Sequence, residues 1–386
     1  MKVLVIPTWY PMGADKLMGQ YHKEFAEALN KYGIKANILY IYRMRLKAPI
    51  KYIKEKKKRI IEEMGYKTFI YKLYNINKFG SNYTIKRYVK KLEYALSDYI
   101  KTNGKPDIIH AMVSSPAGYA SCVVAKKYNI PVVITEHGGA LERFFVRPDL
   151  KEYGLYALNN STYSTVSNYM KDIVKKYKDE CYVLPNLVNA DLFSSNINRK
   201  IDKTFNLVSV CALREGKRLD IAFKAIKKLI DEGMNIHYDV IGDGFYEDIY
   251  KEAAIDIGVS EYVTFLGRKN KEEISKIFDK EHALLISSEL ESFAIPGIEA
   301  LAAGLPVITT DCKGPTEYID EKTGIICKVN DPLDMAESIK YMYENYKKYD
   351  KKDLVARAKK YDAKNVVKTA KIIYEKALKK SGKNIK

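Results

Sequence analysis

Long apolar runs are missing from this chain of 386 residues. A membrane-spanning helix needs about 18–20 continuous apolar residues. The longest uncharged stretch, Ile108–Ala125, is broken by His110, Ser114, Ser115, Pro116 and Gly118. Cysteine is sparse. Cys122, Cys181, Cys211, Cys312 and Cys327 are odd in number and far apart, with no Cys-x-x-Cys and no histidine at ligand spacing. That excludes a disulfide framework and a structural zinc as organising features. The opening Met1-Lys-Val-Leu-Val-Ile-Pro-Thr-Trp-Tyr has an apolar core too short for a signal peptide. It reads instead as the first strand of a Rossmann-like unit. The expected location is cytoplasmic, with peripheral attachment to the inner face of the membrane as an extension of that reading.

The chain holds 47% apolar and 30% charged residues, the balance of a globular protein with full cores. Its length suits two domains of about 150–200 residues. The formal net charge of +18 is concentrated: Arg43–Lys105 carries 18 Lys and Arg against 5 Asp and Glu, interleaved with eight tyrosines. Lys56-Lys-Lys-Arg59 and Lys86-Arg87 with Lys90-Lys91 fall at helical spacing. They fit either a basic amphipathic face on an anionic membrane or polyanion, or a plain solvated face. No known nucleic-acid motif accompanies the charge, so nucleic acid is not an expected partner.

Short β-branched runs alternate with amphipathic stretches along the whole chain, the signature of doubly wound α/β architecture. The expected strands of the first half are Val3–Pro7, Ala36–Ile41, Thr68–Leu73, Asp107–His110, Val132–Thr135, Thr162–Val166 and Tyr182–Leu184. Those of the second half are Asn206–Cys211, His237–Ile241, Tyr262–Leu266, Ala283–Ile286, Val307–Thr310 and Gly324–Lys328. Residues 187–203 are polar, turn-rich and aperiodic, so the boundary falls there. The expected organisation is a first domain over 1–190, a second over 191–363, and a Lys-rich C-terminal helix over 364–386. Val366, Val367, Ala370, Ile373, Tyr374 and Ala377 form one apolar side of that helix.

Chemistry concentrates at strand ends of the second half. The run 283–317 places an acidic turn with Glu291 after one strand and Glu299 on the next helix, which stops at Gly304. Ligands of open parallel sheets bind beyond the carboxyl ends of the strands, where helix N-termini offer free N–H groups to anions. Arg214, Lys217 and Arg218 arrive at another strand end, where cations suit phosphate. Gly242-Asp-Gly244 brackets a turn in which a missing Cβ allows close approach.

Taken together, these residues resemble a retaining glycosyltransferase of the GT-B fold, family four. Its Glu-x₇-Glu pattern is matched by Glu291, Phe293, Glu299, Ala300, Ala302, Gly304, Pro306 and Val307. Lys217, Gly242-Asp-Gly244, Gly267, Gly314 with Glu317, and Gly324 extend the match over about 205–328. The first half matches more loosely, through Trp9-Tyr-Pro11, Gly19 with Glu24, Asp107-Ile-Ile-His-Ala111, Glu136-His-Gly138, Val166-Ser167 and Pro185-Asn186.

The resemblance implies two Rossmann-like doubly wound domains facing across a cleft, with the C-terminal helix packing back on the N-terminal domain. The second domain would bind a nucleotide-sugar donor, UDP-sugar ahead of GDP-sugar, and the first a sugar, lipid-linked or polymer acceptor. Glu299 would accept from the ribose hydroxyls and Glu291 would lie by the donor sugar. Ser292, Phe293, Ala294 and Ile295 would offer backbone to the phosphate or sugar. Lys217 would neutralise the leaving diphosphate, and His137 would contact the donor sugar. Gly19, Gly242 and Gly244 complete the donor-binding set.

No cofactor and no metal are expected, and no Asp-x-Asp cluster is present. Two departures stand out: Ala212 replaces the family's usual Arg, so either Arg214 or Arg218 substitutes or diphosphate binding is weaker than in relatives, and Ala294 replaces a usual Gly. Other GT-B chemistry, phosphorolytic or nucleotide-sugar-hydrolysing, and a non-catalytic polyanion-binding module are the alternatives.

Overall fold

The computed structural model describes residues 1–12, 18–45, 58–63, 65–75, 80–138, 141–195 and 199–383. They form two compact units, Met1–Pro185 with Ala363–Lys386, and Asn186–Asp362. No helix among the described residues is long and apolar enough to cross a membrane.

The first unit is built on an eight-stranded sheet. Its strands are β1 (Lys2–Pro7), β2 (Lys35–Arg45), β3 (Lys58–Glu63), β4 (Tyr66–Asn75), β5 (Ile108–Met112), β6 (Val132–Glu136), β7 (Thr162–Thr165) and β8 (Tyr182–Val183), in the order β3-β4-β2-β1-β5-β6-β7-β8. All pairings are parallel except β3 with β4. Because helices cover both faces of a parallel sheet, its inner strands are continuous apolar runs. Every residue of β5 and β6 is buried.

The C-terminal helix Ala363–Lys380 packs on the helix Gln20–Lys31 and on β6 and β7. It buries Val366, Val367, Ala370, Ile373, Tyr374, Ala377 and Leu378, so the six apolar residues of the expected face are all inside. His110 of β5 ties this helix down. Its Nδ1 lies 2.7 Å from the Tyr374 hydroxyl and its Nε2 2.7 Å from Thr135 Oγ1.

The basic stretch differs from its expected form. Residues 46–57, 64 and 76–79 lie outside the described residues, Lys56 and Lys57 among them. Lys58 and Arg59 are not helical: they belong to β3, the antiparallel edge strand. Ile60 and Ile61 favour strand, and edge strands tolerate charge because it discourages further pairing. Lys86, Arg87, Lys90 and Lys91 do lie on a helix, Gly80–Asn103. Part of the positive charge is locally answered, by Lys58–Asp98 and by Lys67–Glu62 at 2.6 Å.

The second unit holds six parallel strands, β9 (Phe205–Val210), β10 (Ile236–Ile241), β11 (Val263–Gly267), β12 (Ala283–Ile286), β13 (Val307–Thr310) and β14 (Gly324–Cys327). Their order is β11-β10-β9-β12-β13-β14. Phe205, Tyr238, Leu285 and Ile308 pack with Phe223 and Ile226 of the helix Leu219–Asp231 and with Met335 and Ile339 of the helix Pro332–Glu344. Each such side chain contributes roughly 1.5–3 kcal/mol on burial.

Burial, and then nearby His137, push the His110 pKa down to about 3. The unfolded chain binds that proton near pH 6.5, so the folded state loses stability as pH falls from about 6.5 toward 3. Burial of Glu136 raises its pKa and acts in the opposite sense. The expected outcome is that His110→Gln, which can keep both hydrogen bonds, flattens the acid limb of melting temperature against pH. An unaltered limb contradicts this assignment.

Candidate functional site

The loop after β9 and the turn after β12 are bound together by several contacts. Ser287 Oγ donates to the Lys217 carbonyl at 2.7 Å, and the Glu289 N–H to the Gly216 carbonyl at 2.9 Å. Lys217 Nζ forms a direct ion pair with Glu291 Oε1, which also accepts from Ser288 Oγ at 2.7 Å. Both side chains are largely buried. Burial works against the Lys217 ammonium, but the charge and hydrogen bond of Glu291, with lesser help from the neighbouring cysteines, leave its pKa raised.

Glu291 is held from its backbone as well. Its N–H donates to the Cys312 carbonyl at 2.8 Å, and its carbonyl accepts from the Gly314 N–H at 3.0 Å. A Cβ at Gly314 would lie 2.5 Å from Phe293 N and from the Ser292 carbonyl carbon. Only glycine lets the loop after β13 cross the acidic turn so closely.

The helix Ile295–Ala303 begins at Ala294, whose φ of 56° and ψ of 77° are left-handed. Phe293 anchors this turn: its ring is buried, 5.7 Å from Tyr318 and 5.6 Å from Tyr361. Tyr318 donates its hydroxyl hydrogen to the Ala294 carbonyl at 2.8 Å. The side chain of Phe293 is therefore core, and only backbone is left to face a ligand. The first N–H groups of a helix have no partner within it, so this one presents donors beside Lys217.

Glu299, on the same helix, is 3% exposed. Lys271 Nζ stands 2.9 Å from its Oε1. Nothing in the local sequence flagged Lys271. It opens the helix Lys271–Phe278, after an Asn270 and Glu273 capping box, and meets Glu299 only through tertiary packing. The two carboxylates, Glu291 and Glu299, each thus carry a lysine.

The remaining candidates separate. Arg218 has φ 50° and makes a two-point contact with Asp220, Nε–Oδ1 and Nη2–Oδ2 both at 3.0 Å. It also reaches Glu289 at 2.7 Å and contacts Asn330. Its guanidinium is committed to those partners. Arg214 is exposed and takes part in no ion pair among the described residues.

Gly242 and Gly244 meet protein: Cβ atoms there would sit 1.8 Å from the Cys211 carbonyl oxygen and 2.1 Å from that of Leu213. They let the loop after β10 press on the segment that contains Ala212. Among the described residues, no group of three His, Cys, Asp or Glu could hold a metal ion.

Gly19 and His137 belong to the first unit. Gly19 has φ 79°, and a Cβ would lie 2.7 Å from Trp9 backbone. His137 follows β6, with its N–H donating to Glu136 Oε1 at 3.0 Å. Glu136 is buried and also accepts from Gly138 N–H at 2.8 Å and, through Oε2, from Ser114 N–H at 2.8 Å. Gly139 lies outside the described residues.

Comparison with known proteins places this arrangement in a class. Residues 20–192 match the family described as Glycosyltransferase Family 4, and residues 192–361 match Glycosyl transferases group 1. The chain belongs to the glycosyltransferases of GT-B fold. It is 28% identical over 308 residues to an uncharacterised glycosyltransferase of Methanocaldococcus jannaschii, covering 75% of this chain and 82% of that one. The fold is similar to a sucrose-phosphate synthase from Thermosynechococcus elongatus, with a TM-score of 0.77 and 15% identity over 98% of this chain and all of that one. It is also similar to HepE of Anabaena in complex with UDP, with a TM-score of 0.71 and 15% identity over 97% of this chain and all of that one.

A non-glycine residue in the left-handed region costs about 1–2 kcal/mol, and replacing it with glycine returns about 0.4–1 kcal/mol of that as unfolded-chain entropy. Ala294→Gly is therefore expected to stabilise the protein by roughly 0.5–1 kcal/mol, read as a rise in denaturant midpoint. A fall in midpoint contradicts strain at Ala294.

Proposed function

We propose that this chain transfers a sugar, with retention of anomeric configuration, from a nucleoside-diphosphate sugar to an acceptor hydroxyl. UDP-sugars are the first choice and GDP-sugars the next. The observation that carries the reading is Lys217, held by Glu291 at the mouth of the second sheet beside the N-terminus of the helix that bears Glu299. A cation next to free helix N–H groups is suited to a diphosphate. A buried carboxylate is acceptor-only and matches a vicinal diol such as ribose.

In this reading the ribose hydroxyls hydrogen-bond Glu299, and Lys217 offsets charge as the diphosphate leaves. Arg214, rather than the committed Arg218, supplies the second cation that Ala212 lacks. Glu291 lies by the donor sugar and His137 contacts it. The acceptor hydroxyl attacks on the face from which the phosphate departs and passes its proton to that phosphate oxygen, so no separate base is required. These cations do the work of a metal, and transfer should proceed in EDTA.

The acceptor is a cell-envelope polysaccharide or a glycolipid. The basic helix Gly80–Asn103, with exposed Lys86, Lys90 and Tyr94, supports attachment to anionic lipid.

Three outcomes are expected. Thermal denaturation against UDP, GDP, ADP and their sugars gives the largest rise with UDP ligands, since binding only the native state stabilises it; no rise with any nucleotide contradicts the donor reading. Lys217→Ala lowers kcat about 10²–10³-fold, with the product anomer unchanged by NMR; wild-type kcat excludes its role on the diphosphate. Anionic vesicles co-sediment the protein at low salt and release it at higher salt; absence of binding at low salt removes the membrane part alone.

A further inference from the structure

One carboxylate ties together two loops at the mouth of the first sheet. Glu136 ends β6, is 4% exposed, and collects three backbone N–H groups. Its Oε1 accepts from His137 at 3.0 Å and from Gly138 at 2.8 Å, and its Oε2 accepts from Ser114 at 2.8 Å. A Cβ at Gly138 would lie 3.1 Å from that Oε1, so little slack remains. His137 and Gly138 leave the end of β6, and Ser114 follows the end of β5, its neighbour in the sheet.

The loop after β5 needs holding. Val113 has φ 77° and ψ 137°, a conformation that a β-branched residue takes only under strain. Such outliers cost about 1–3 kcal/mol each and persist where the surroundings over-determine them. Here the Val113 N–H donates to the Thr135 carbonyl at 2.8 Å, the Val113 carbonyl accepts from the Gly118 N–H at 3.0 Å, and the next N–H, of Ser114, goes to Glu136. Ser114 Oγ also bonds the buried Tyr163 hydroxyl on β7.

We propose that Glu136 is a positioning residue for the first unit's reaction mouth: its carboxylate holds the turn at His137 and the strained turn at Val113–Ser114 in one shared arrangement. The proposal rests on the reading that His137 contacts the transferred sugar. Stability alone accounts poorly for this choice of side chain, because an ionised carboxylate is costly to bury. What the charge supplies is stronger bonds: those to an ionised acceptor are roughly twice as strong as neutral ones.

Protonation undoes the arrangement. A carboxylate accepts at both oxygens, whereas a carboxylic acid turns one of them into a donor, which opposes the N–H it faces. Burial raises the Glu136 pKa, although the bonds from Ser114, Gly138 and His137 work against the rise. Its proton therefore arrives at higher pH than on an ordinary carboxylate, and the strained turn loses a holder as pH falls. The groups that face Glu136 are Ser114 after β5, His137 after β6 and Tyr163 on β7, with Cys181 near Tyr163. Burial first, then Glu136, push Tyr163 well above its usual range, and burial pushes Cys181 up to about 11. Both stay uncharged while Glu136 titrates.

The test follows the amide protons of Ser114, His137 and Gly138 by NMR in the intact protein, from about pH 5 to about pH 9. In wild type the three should shift together, with one apparent pKa above the ordinary carboxylate range. Ser114 is the decisive reporter, since titration of the His137 imidazole moves its own neighbours. Glu136→Gln, isosteric and uncharged, should abolish the Ser114 shift. A Ser114 amide that does not titrate in wild type, a measurement that needs no variant, overturns the proposal, as does equal titration in Glu136→Gln.

Activity supplies the second readout. In wild type, kcat should fall on the acid side with the same apparent pKa while UDP affinity stays constant. Glu136→Gln should lower kcat about tenfold at the alkaline end, remove that acid limb, and bind UDP within about twofold of wild type. An unchanged kcat profile in Glu136→Gln would leave Glu136 a structural residue and overturn its positioning role. Titration of Ser114 as expected in a wild type that binds no nucleotide keeps the shared arrangement, and only the donor reading fails.

Discussion

The Lys217–Glu291 pair is the contact on which the second unit's site depends. It joins the loop after β9 to the turn after β12. The hydrogen bonds from Ser287 and Glu289 and the crossing of Gly314 over Ser292 and Phe293 keep the two segments in register. Stability alone is a poor account of it. Taking both charges from water is costly, and an apolar pair of the same size is often as stable or more so. A lysine kept charged and aimed by a carboxylate makes sense where an anion is to be received. Glu299 with Lys271 repeats the pattern one helical stretch away, a buried carboxylate paired with a lysine.

The departures from the family pattern have physical consequences of different kinds. At position 212 an arginine is missing, and of the two nearby arginines Arg218 is engaged by Asp220, Glu289 and Asn330. Arg214 lies on the same loop, exposed. At position 294 the backbone still adopts the left-handed turn that a glycine would take without strain, and Tyr318 and Phe293 hold it there. The acidic turn therefore keeps its shape despite the substitution, supported by packing from behind.

The fold was legible because its signal is local. β-branched runs bounded by turns mark parallel strands, and a doubly wound α/β architecture follows from their alternation with helices; GT-B is what the resemblance of the strand-end motifs adds. The tail helix was legible for the same reason, from six apolar residues on one side. The exception, β3, hides its strand character under Lys58, Arg59, Glu62 and Glu63, so its charge outweighed Ile60 and Ile61.

In the site, Glu291, Lys217 and the turn 292–295 are adjacent in the structure, as their strand-end positions imply. What sequence could not show is pairing between distant segments: Lys271 with Glu299 and Arg218 with Glu289. Neither has a sequence pattern, because each depends on how two elements pack. The glycines at 242 and 244 were read as sites of approach, and their close neighbours prove to be the carbonyls of Cys211 and Leu213.

The central claim is that Glu299 binds ribose while Lys217 receives the diphosphate. Calorimetric titration of UDP and 2′-deoxy-UDP into wild type and Glu299→Gln tests it as a double cycle. The account predicts that loss of the 2′-hydroxyl weakens binding about tenfold in wild type and by less than about twofold in Glu299→Gln. An equal loss in both proteins would show that the hydroxyl is bound elsewhere and would contradict the account.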